Sequence, residues 1–348
     1  MVNNARTPMA INRGQVPGVP GALKESLADA WEAFAHAVSE ARLPLPRDPD
    51  FAASLLRVWA CSDFACDVCV QHPELLFDLL DRGDLLSDYA AGEYGRKLEL
   101  ALRGVDDEAG LGDVLRDFRT REMLRIAWRD LAGWACLDEV LVDLTRLADA
   151  CIAGALKPLG RWAAAEYGSG KRQPKSSLVV LGMGKLGAHE LNFSSDIDLI
   201  FAYPGGEKGW PSSNISIEEF HLRIGQQLIR ALDSVTDRGF VFRVDMRLRP
   251  YGDSGPLVAS FDAMADYYQL QGREWERYAM IKARPVAGPK AASRELMQLL
   301  RPFVYRRYLD FDAFESLRNL KLQIVREVER KGMQDNIKLG PGGIREIE

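Results

Sequence analysis

The stretch that most constrains the fold of this chain is LVVLGMGKLGAHELNFSSDIDLIFAY, at residues 178–203. It begins with an apolar run that is typical of a buried strand, and its spacing Gly182-x-Gly184-x-x-Gly187 matches the turn of a dinucleotide-binding fold. That fold requires a full crossover helix after the turn, and its acidic residue lies at the end of the second strand. Here Asp196 follows Gly187 by only nine positions and opens the second strand. The stretch therefore argues against an NAD-dependent oxidoreductase.

A different arrangement fits this spacing better. The sequence predicts a short helix over 186–191 and a second strand over 196–203. Side chains alternate between the two faces of a strand, so Asp196, Asp198 and Ile200 share one face. Two carboxylates held this close repel each other, and divalent cations relieve the repulsion best. The two aspartates are therefore candidate metal ligands.

A third strand is predicted over 240–249, where apolar and charged residues alternate, and beyond Pro250 the sequence predicts only helices. One face of the third strand is apolar. The other face carries Asp245 among three arginines, which are Arg243, Arg247 and Arg249. A solvated surface strand could carry the same pattern. Because the chain already offers two spaced aspartates, we interpret Asp245 as a third metal ligand with anion-binding neighbours.

The predicted carboxylates suit chemistry at phosphorus. Three carboxylates on adjacent strands can hold two Mg²⁺ ions about 4 Å apart, which activate an attacking oxygen and stabilise a leaving oxygen. Backbone N–H groups of the glycine turn, together with Lys185, are expected to meet a nucleotide phosphate. Ser194 and Ser195 either bind phosphate as well or cap the entry to the strand, and the sequence leaves both interpretations open.

Hydrophobic periodicity divides the chain into segments of different structure. A disordered leader is expected at 1–20, a helical domain at 21–166 and a polar linker at 167–177. The domain that contains the candidate site is expected at 178–290, and a helical segment follows at 291–348. Strand patterns in one part of the chain and helical patterns in the others indicate the α+β class.

Composition argues against several classes of protein. The net charge of −5 and a pI near 5.6 argue against a general nucleic-acid-binding protein, which usually carries a basic surplus. No apolar run is long enough to span a membrane, and residues 1–20 lack the apolar core of a signal peptide. Five cysteines form a sparse, odd set that suits a reducing, cytoplasmic location. The Cys66-x-x-Cys69 pair lies in a helical pattern and indicates buried thiols rather than a zinc or redox site.

Longer stretches of the sequence resemble a known family. The glycine turn, the spaced aspartates and the later strand aspartate are similar to the nucleotidyltransferase superfamily of DNA polymerase β type. The resemblance is closer still to the glutamine synthetase adenylyltransferase and adenylyl-removing enzyme family, and it extends over about residues 50–348. The stretches that carry it are REMLRIAWRDLAG, LGMGKLGAHELNFSSDIDLIFAY, FRVDMRLRPYGDSGPLVASFDAMADYYQLQGREWERYAMIKARPVAG and NIKLGPGGIREIE.

The resemblance implies a fold and a reaction. The expected fold is a polymerase-β-type domain with a small mixed sheet, flanked by helical domains. Because ELNFSSDIDLIF is similar to the N-terminal of the family's two catalytic copies, the implied reaction is removal of AMP from glutamine synthetase. Inorganic phosphate would attack the phosphorus of an adenylylated tyrosine and release ADP and the unmodified tyrosine. The C-terminal copy, which adds AMP, is absent from this sequence, and the chain stops at Glu348 inside a family motif, so a truncated product is expected.

The resemblance also assigns residues and partners. Asp196 and Asp198 would bind both Mg²⁺ ions, and Asp245 would complete the site. Arg247 and Arg249 would neutralise phosphate oxygens. Glutamine synthetase, the PII signalling protein, inorganic phosphate and ADP or ATP are the implied partners. A non-catalytic fragment that binds glutamine synthetase or PII is the alternative, and residues alone leave the direction of AMP transfer and the effector-binding surfaces open.

Overall fold

The structure is a computed structural model that describes most of the chain: residues 20–44, 49–168, 174–206, 215–305, 311–338 and 340–344. Within these ranges the chain combines α-helices with one small mixed sheet, so the expected α+β class is confirmed. The leader expected at 1–20 lies outside the described residues except for Pro20, and so does part of the linker expected at 167–177. Among the described helices, none is long and apolar enough to pass through a membrane.

Seven helices precede the first strand in the described part of the chain: α1 (Lys24–Glu40), α2 (Pro49–Cys61), α3 (Asp63–Gln71), α4 (Pro73–Asp81), α5 (Glu93–Ala101), α6 (Glu108–Leu131) and α7 (Leu137–Tyr167). Apolar residues recur at helical spacing, so each helix buries one side. Helices α1–α4 and α6 share a hydrophobic core that contains Phe34, Trp59 and Trp128. Cys69 is buried in α3, as expected, and burial raises the pKa of its thiol to about 12.

The sheet has five strands: β1 (Val179–Gly182), β2 (Ile197–Tyr203), β3 (Val244–Asp245), β4 (Val258–Ser260) and β5 (Arg284–Ala287). The strand order is β3-β2-β1-β5, and β4 also pairs with β2. Strand β2 is antiparallel to β1, with Val180 opposite Phe201, and parallel to β4. Strands β1 and β5 are antiparallel. This mixed pairing is the kind of small sheet that the family resemblance implies.

Six further helices follow β1 in the described residues: α8 (Gly184–Gly187), α9 (Ile217–Asp233), α10 (Phe261–Leu270), α11 (Glu274–Met280), α12 (Lys290–Val304) and α13 (Phe311–Lys331). A second hydrophobic core joins the sheet to α10 and α12 through Leu181, Met264 and Leu296. The start of α9 is stabilised by the Ser216 hydroxyl, which accepts the Glu219 N–H at 3.1 Å.

The pairing of β1 with β2 excludes the dinucleotide fold. Those two strands are antiparallel, whereas the dinucleotide fold requires them to be parallel. The helix between them is Gly184–Gly187 rather than the predicted 186–191, because His189 adopts a left-handed φ of 63° that ends it. Both faces of β2 are buried beyond Asp198, since Ile200, on the aspartate face, is fully buried in the second core.

The third strand is much shorter than predicted. It comprises only Val244–Asp245 instead of 240–249. The N–H groups of Val241 and Phe242 donate to the carbonyl of Leu232 in the last turn of α9 at 3.0 and 2.9 Å, so this segment closes a helix end instead of joining the sheet. The side chains of Val241 and Phe242 are both buried, whereas the predicted alternation places only one of these two neighbours on the apolar face. Beyond residue 250, β4 and β5 stand where the sequence predicts only helices.

The chain divides into two compact units, each built from several segments. The first unit comprises the described residues of Met1–Ala163, His189–Asp196 and Gln226–Val244. The second unit comprises the described residues of Ala164–Ala188, Ile197–Gly225 and Asp245–Glu348. Asp198 and Asp245 therefore belong to the second unit, and Asp196 belongs to the first.

Candidate active site

The glycine turn is packed against a candidate metal ligand. Strand β1 ends at Gly182, and Gly184 starts α8 with a left-handed φ of 51°. A Cβ at Gly184 would lie 2.9 Å from Oδ2 of Asp198, and one at Gly187 would lie 1.9 Å from the Lys282 carbonyl oxygen. Only glycine fits at these positions without a shift of neighbouring atoms. Glycine at position 184 thus lets the turn backbone approach the Asp198 carboxylate closely.

The end of α8 is held by a residue from the last strand. Arg284 donates from Nη2 to the Leu186 carbonyl at 3.0 Å and from Nε to the Gly187 carbonyl at 3.3 Å. A guanidinium at the C-terminal end of a helix satisfies carbonyls that lack a helical partner. Lys185, which was predicted to meet a phosphate, is half-buried inside this short helix. Its phosphate contact stays a prediction.

Asp198 and Asp245 lie on neighbouring strands of the second unit. Asp198 is the second residue of β2, and Asp245 ends β3, which pairs with β2. The Asp245 carboxylate accepts the Arg247 backbone N–H at 2.8 Å and the Arg247 Nε at 3.0 Å. The hydrogen bond from Arg247 lowers the pKa of Asp245. The pKa of Arg247 is raised, mainly by Asp245 and further by the charges of Asp253 and Asp198. Arg247 therefore lies within electrostatic reach of both candidate metal ligands.

Asp196 meets a different arginine in the first unit. Arg243 donates from Nε to Oδ1 of Asp196 at 2.5 Å and from Nη2 to the Ser194 carbonyl at 2.9 Å. Ser195 donates its hydroxyl to the side chain of Asn192 and its N–H to the Asn192 carbonyl at 3.1 Å. These contacts place both serines in a turn before β2. Phosphate binding by Ser194 and Ser195 stays a prediction.

Arg249 stabilises the turn that follows β3. Its guanidinium donates to the carbonyls of Met246 at 2.8 Å, Asp253 at 3.2 Å and Gly255 at 3.4 Å. Its side chain is only 13% exposed. The turn carries Tyr251, which is half exposed and has a left-handed φ of 63°. Since three carbonyls engage Arg249, the structure gives it a positioning role in this turn, and its predicted phosphate contact is untested.

The candidate carboxylates suit a divalent cation in their chemistry. All three offer hard oxygen donors, which Mg²⁺ prefers. In the described parts of the chain, however, no three His, Cys, Asp or Glu side chains are grouped so that they could hold a metal ion. Guanidinium groups instead neutralise Asp196 and Asp245. The donor chemistry therefore suits a divalent cation, but the described side chains are not grouped as a three-ligand site, and a cation at Asp196 or Asp245 would have to displace an arginine.

Sequence reasoning missed the surroundings of Arg243. The ring of Phe240 lies 5.9 Å from the Arg243 guanidinium and 5.5 Å from that of Arg119, a residue of α6. Arg119 also lies 5.8 Å from the ring of Phe64. Phe64 and Arg119 lie far from Phe240 and Arg243 in the sequence and share no periodic pattern with them. No local signal could therefore have revealed that these four side chains meet.

Comparison with known proteins places the chain in a family. A family model described as glutamate-ammonia ligase adenylyltransferase matches residues 52–298. A relative from Nitrosococcus oceani is 52% identical over 335 residues, one from Pseudomonas aeruginosa is 54% identical over 331, and one from Thioalkalivibrio sulfidiphilus is 48% identical over 336. All three bear the name bifunctional glutamine synthetase adenylyltransferase/adenylyl-removing enzyme.

These matches cover 95%, 94% and 95% of this chain but only 34%, 33% and 34% of the relatives. The chain thus spans about a third of the length of the curated relatives it matches. The glycine turn, Asp196, Asp198 and Asp245 all lie inside the region that the family model matches. Since that region is more than half of the chain, this protein belongs to the glutamate-ammonia ligase adenylyltransferase family.

Proposed function

We propose that this chain removes AMP from adenylylated glutamine synthetase by phosphorolysis. The relatives' shared name includes an adenylyl-removing activity. The observation that carries the proposal is the position of Asp198 and Asp245 on neighbouring strands, with Asp198 against the glycine turn. Carboxylates beside a glycine turn that can approach phosphate are typical of enzymes that act at phosphorus.

Asp196, Asp198 and Asp245 would hold two Mg²⁺ ions. When bound, the ions supply activation of the attacking phosphate oxygen and charge neutralisation at the leaving oxygen. Asp198 lies close to the backbone of the glycine turn at Gly184. Asp196 and Asp245 must each release an arginine contact first. The proposed ligand set is therefore built from side chains that the fold already holds next to cationic groups.

The chain's own residues would orient the phosphates. Arg247 is 73% exposed and lies near Asp245 and Asp198, so its guanidinium can reach an anion at the metal ligands. Backbone N–H groups of the turn and Lys185 would contact the nucleotide phosphate. In the proposed reaction, an oxygen of inorganic phosphate bonds to the adenylyl phosphorus, and the bond from that phosphorus to the tyrosine oxygen breaks. The tyrosine oxygen takes a proton, and ADP leaves.

Partners and location are part of the same proposal. Glutamine synthetase would be the protein substrate, the PII protein a regulator, and phosphate, ADP and ATP the small ligands. The cytoplasm would be the site of action, because the family's substrate is a metabolic enzyme. An alternative function is binding to glutamine synthetase or PII without turnover.

The proposal is tested with the purified chain, adenylylated glutamine synthetase, Mg²⁺ and phosphate. We expect ADP to form, and Asp198→Asn should lower its rate by at least about a hundredfold, since a ligand charge at the reacting centre is lost. Asp237→Asn, a change at an exposed aspartate, is the matched control and should keep the rate. Equal rates for Asp198→Asn and the unchanged chain would exclude the metal-site mechanism. Pyrophosphate released from ATP would indicate addition of AMP, and binding without any product would favour the alternative function.

A further inference from the structure

Arg243 contacts Asp196 and the backbone beside it through two different nitrogens. Its Nε is 2.5 Å from Oδ1 of Asp196, and its Nη2 is 2.9 Å from the carbonyl oxygen of Ser194. Because the two acceptors lie two residues apart on one segment, both contacts together set the direction of the guanidinium plane. The pair is thus more ordered than a single exposed ion pair, although Arg243 and Asp196 remain 57% and 49% exposed.

The ring of Phe240 contacts Arg243 and a second arginine. Its centre lies 5.9 Å from the guanidinium of Arg243 and 5.5 Å from that of Arg119. Arg119 extends from α6 and also lies over Phe64. Its Nε is buried and finds no hydrogen-bond acceptor among the described residues, and desolvation lowers its pKa. Contacts with two aromatic faces are what hold this cation in place, so Phe240 is tied to α6.

The same segment is tied to α6 by polar contacts as well. Arg238 pairs with Asp117 at 2.9 Å, and Arg116 donates to the Ser234 carbonyl at 3.2 Å. Helix α6 therefore determines where residues 234–243 run and, through Phe240, where the Arg243 guanidinium is held. This chain of contacts lies entirely within the first unit.

A metal ion and Arg243 need the same oxygen of Asp196. Mg²⁺ binds carboxylate oxygen at about 2.0–2.1 Å, and a guanidinium that stays in hydrogen-bond contact with that oxygen repels the ion. We propose that Arg243 is a positioning residue that holds Asp196 when no metal is bound and competes with the divalent cation for it. The inference rests on the proposed role of Asp196 as a metal ligand.

Direct measurement of metal binding tests the competition without any turnover. Mn²⁺ binding to the purified chain is followed by calorimetry and by the loss of the free-ion electron paramagnetic resonance signal. In Arg243→Gln we expect the Kd for Mn²⁺ to fall about two- to fivefold, the range that corresponds to losing one competing exposed ion pair. Arg96→Gln is the matched control, because that arginine is 59% exposed, pairs with Glu93 and lies in the first unit outside the contacts that position Arg243. Its Kd should not change.

Two results would overturn the inference: an unchanged Kd in Arg243→Gln, or weaker Mn²⁺ binding, which would mean that Arg243 prepares Asp196 for the metal. Asp198→Asn separates this failure from a failure of the proposed function. If the unchanged chain binds Mn²⁺ and Asp198→Asn does not, the metal site stands and only the role of Arg243 is in question. If both bind Mn²⁺ equally, or neither binds it, the metal site itself is wrong, and the competition falls with it.

Discussion

At the scale of single residues, His221 is a buried side chain whose protonation state follows from its contacts. The ring is fully buried and stacks on Tyr203 with 4.7 Å between ring centres. Its Nδ1 lies 2.8 Å from the Ile217 carbonyl oxygen, so Nδ1 carries the proton and donates it. Nε2 is then an acceptor, and it receives the Ser177 backbone N–H at 3.2 Å. Burial lowers the pKa of His221 to about 4.

This low pKa predicts a loss of stability in mild acid. Between about pH 6.5 and pH 4 the unfolded chain binds a proton at His221 that the folded chain does not bind. The free energy of unfolding should therefore be unaffected by this group above about pH 6.5 and should fall with pH below it, by up to about 1.4 kcal/mol per pH unit. His221→Phe keeps a ring on Tyr203 but removes the titrating group. This variant should be less stable at neutral pH but should lose less stability on acidification. Urea unfolding between about pH 6.5 and pH 4 measures both effects. If the free energy of unfolding falls equally with pH in both proteins, His221 is not the group responsible.

At the scale of elements, local sequence determines some parts of the site region and not others. Strand β2 agrees with its predicted extent within one residue, because the apolar run that signals it is local. The strand predicted at 240–249 fails because the carbonyl of Leu232, on a different element, takes up its N–H groups. Strands β4 and β5 are three and four residues long, too short for a clear period, and their pairing partners lie far away in the sequence. Distance in sequence also explains why Asp198 could be singled out as a candidate but the contact between Arg243 and Asp196, 47 positions apart, could not.

Helix α6 carries a buried charge network in the first unit. Arg125 is fully buried and donates from Nη1 to Asp143 at 2.8 Å and to the Tyr94 hydroxyl at 3.2 Å. Its Nε donates to the Asp84 carbonyl at 2.9 Å. The sequence pattern suggests only an amphipathic helix here, because the acceptors come from three separate segments. Such a network is stable only while each buried charge keeps its partner.

Removing one partner of this network should destabilise the first unit strongly. In Arg125→Met the side chain of Asp143, which is 5% exposed, loses its cation, and we expect the free energy of unfolding to fall by about 3–5 kcal/mol. Arg82→Met is the matched control: that arginine is 64% exposed, so loss of its pair with Asp78 should change stability by no more than about 1 kcal/mol. The double change Arg125→Met with Asp143→Leu should recover part of the loss, since no unpaired charge remains. Urea unfolding that finds Arg125→Met no worse than Arg82→Met would refute the argument.

At the scale of the whole molecule, the described chain contains at least two hydrophobic cores built from different residues. One includes buried residues between Leu27 and Trp128, and the other includes buried residues between Val179 and Leu300. The division into two compact units separates the same two cores. Proteins open locally in cooperative units, so a substitution inside one core should first affect the stability of the segments that share it.

Substitutions in the two cores should therefore increase hydrogen exchange in different places. Gly187→Ala puts a Cβ 1.9 Å from the Lys282 carbonyl oxygen, so we expect a loss of about 1–3 kcal/mol and faster amide exchange in β1 and β2. Arg125→Met should instead accelerate exchange in α5–α7, which its buried side chain joins. Gly95→Ala, in α5 with open space around the new Cβ, is the control for the glycine substitution and should cause no loss. Hydrogen exchange followed by mass spectrometry resolves these segments. If Gly187→Ala raises exchange in α1–α4 as much as in β1 and β2, the two cores open together. The prediction of separate opening is then wrong, because a local strain at the glycine turn would destabilise both cores equally.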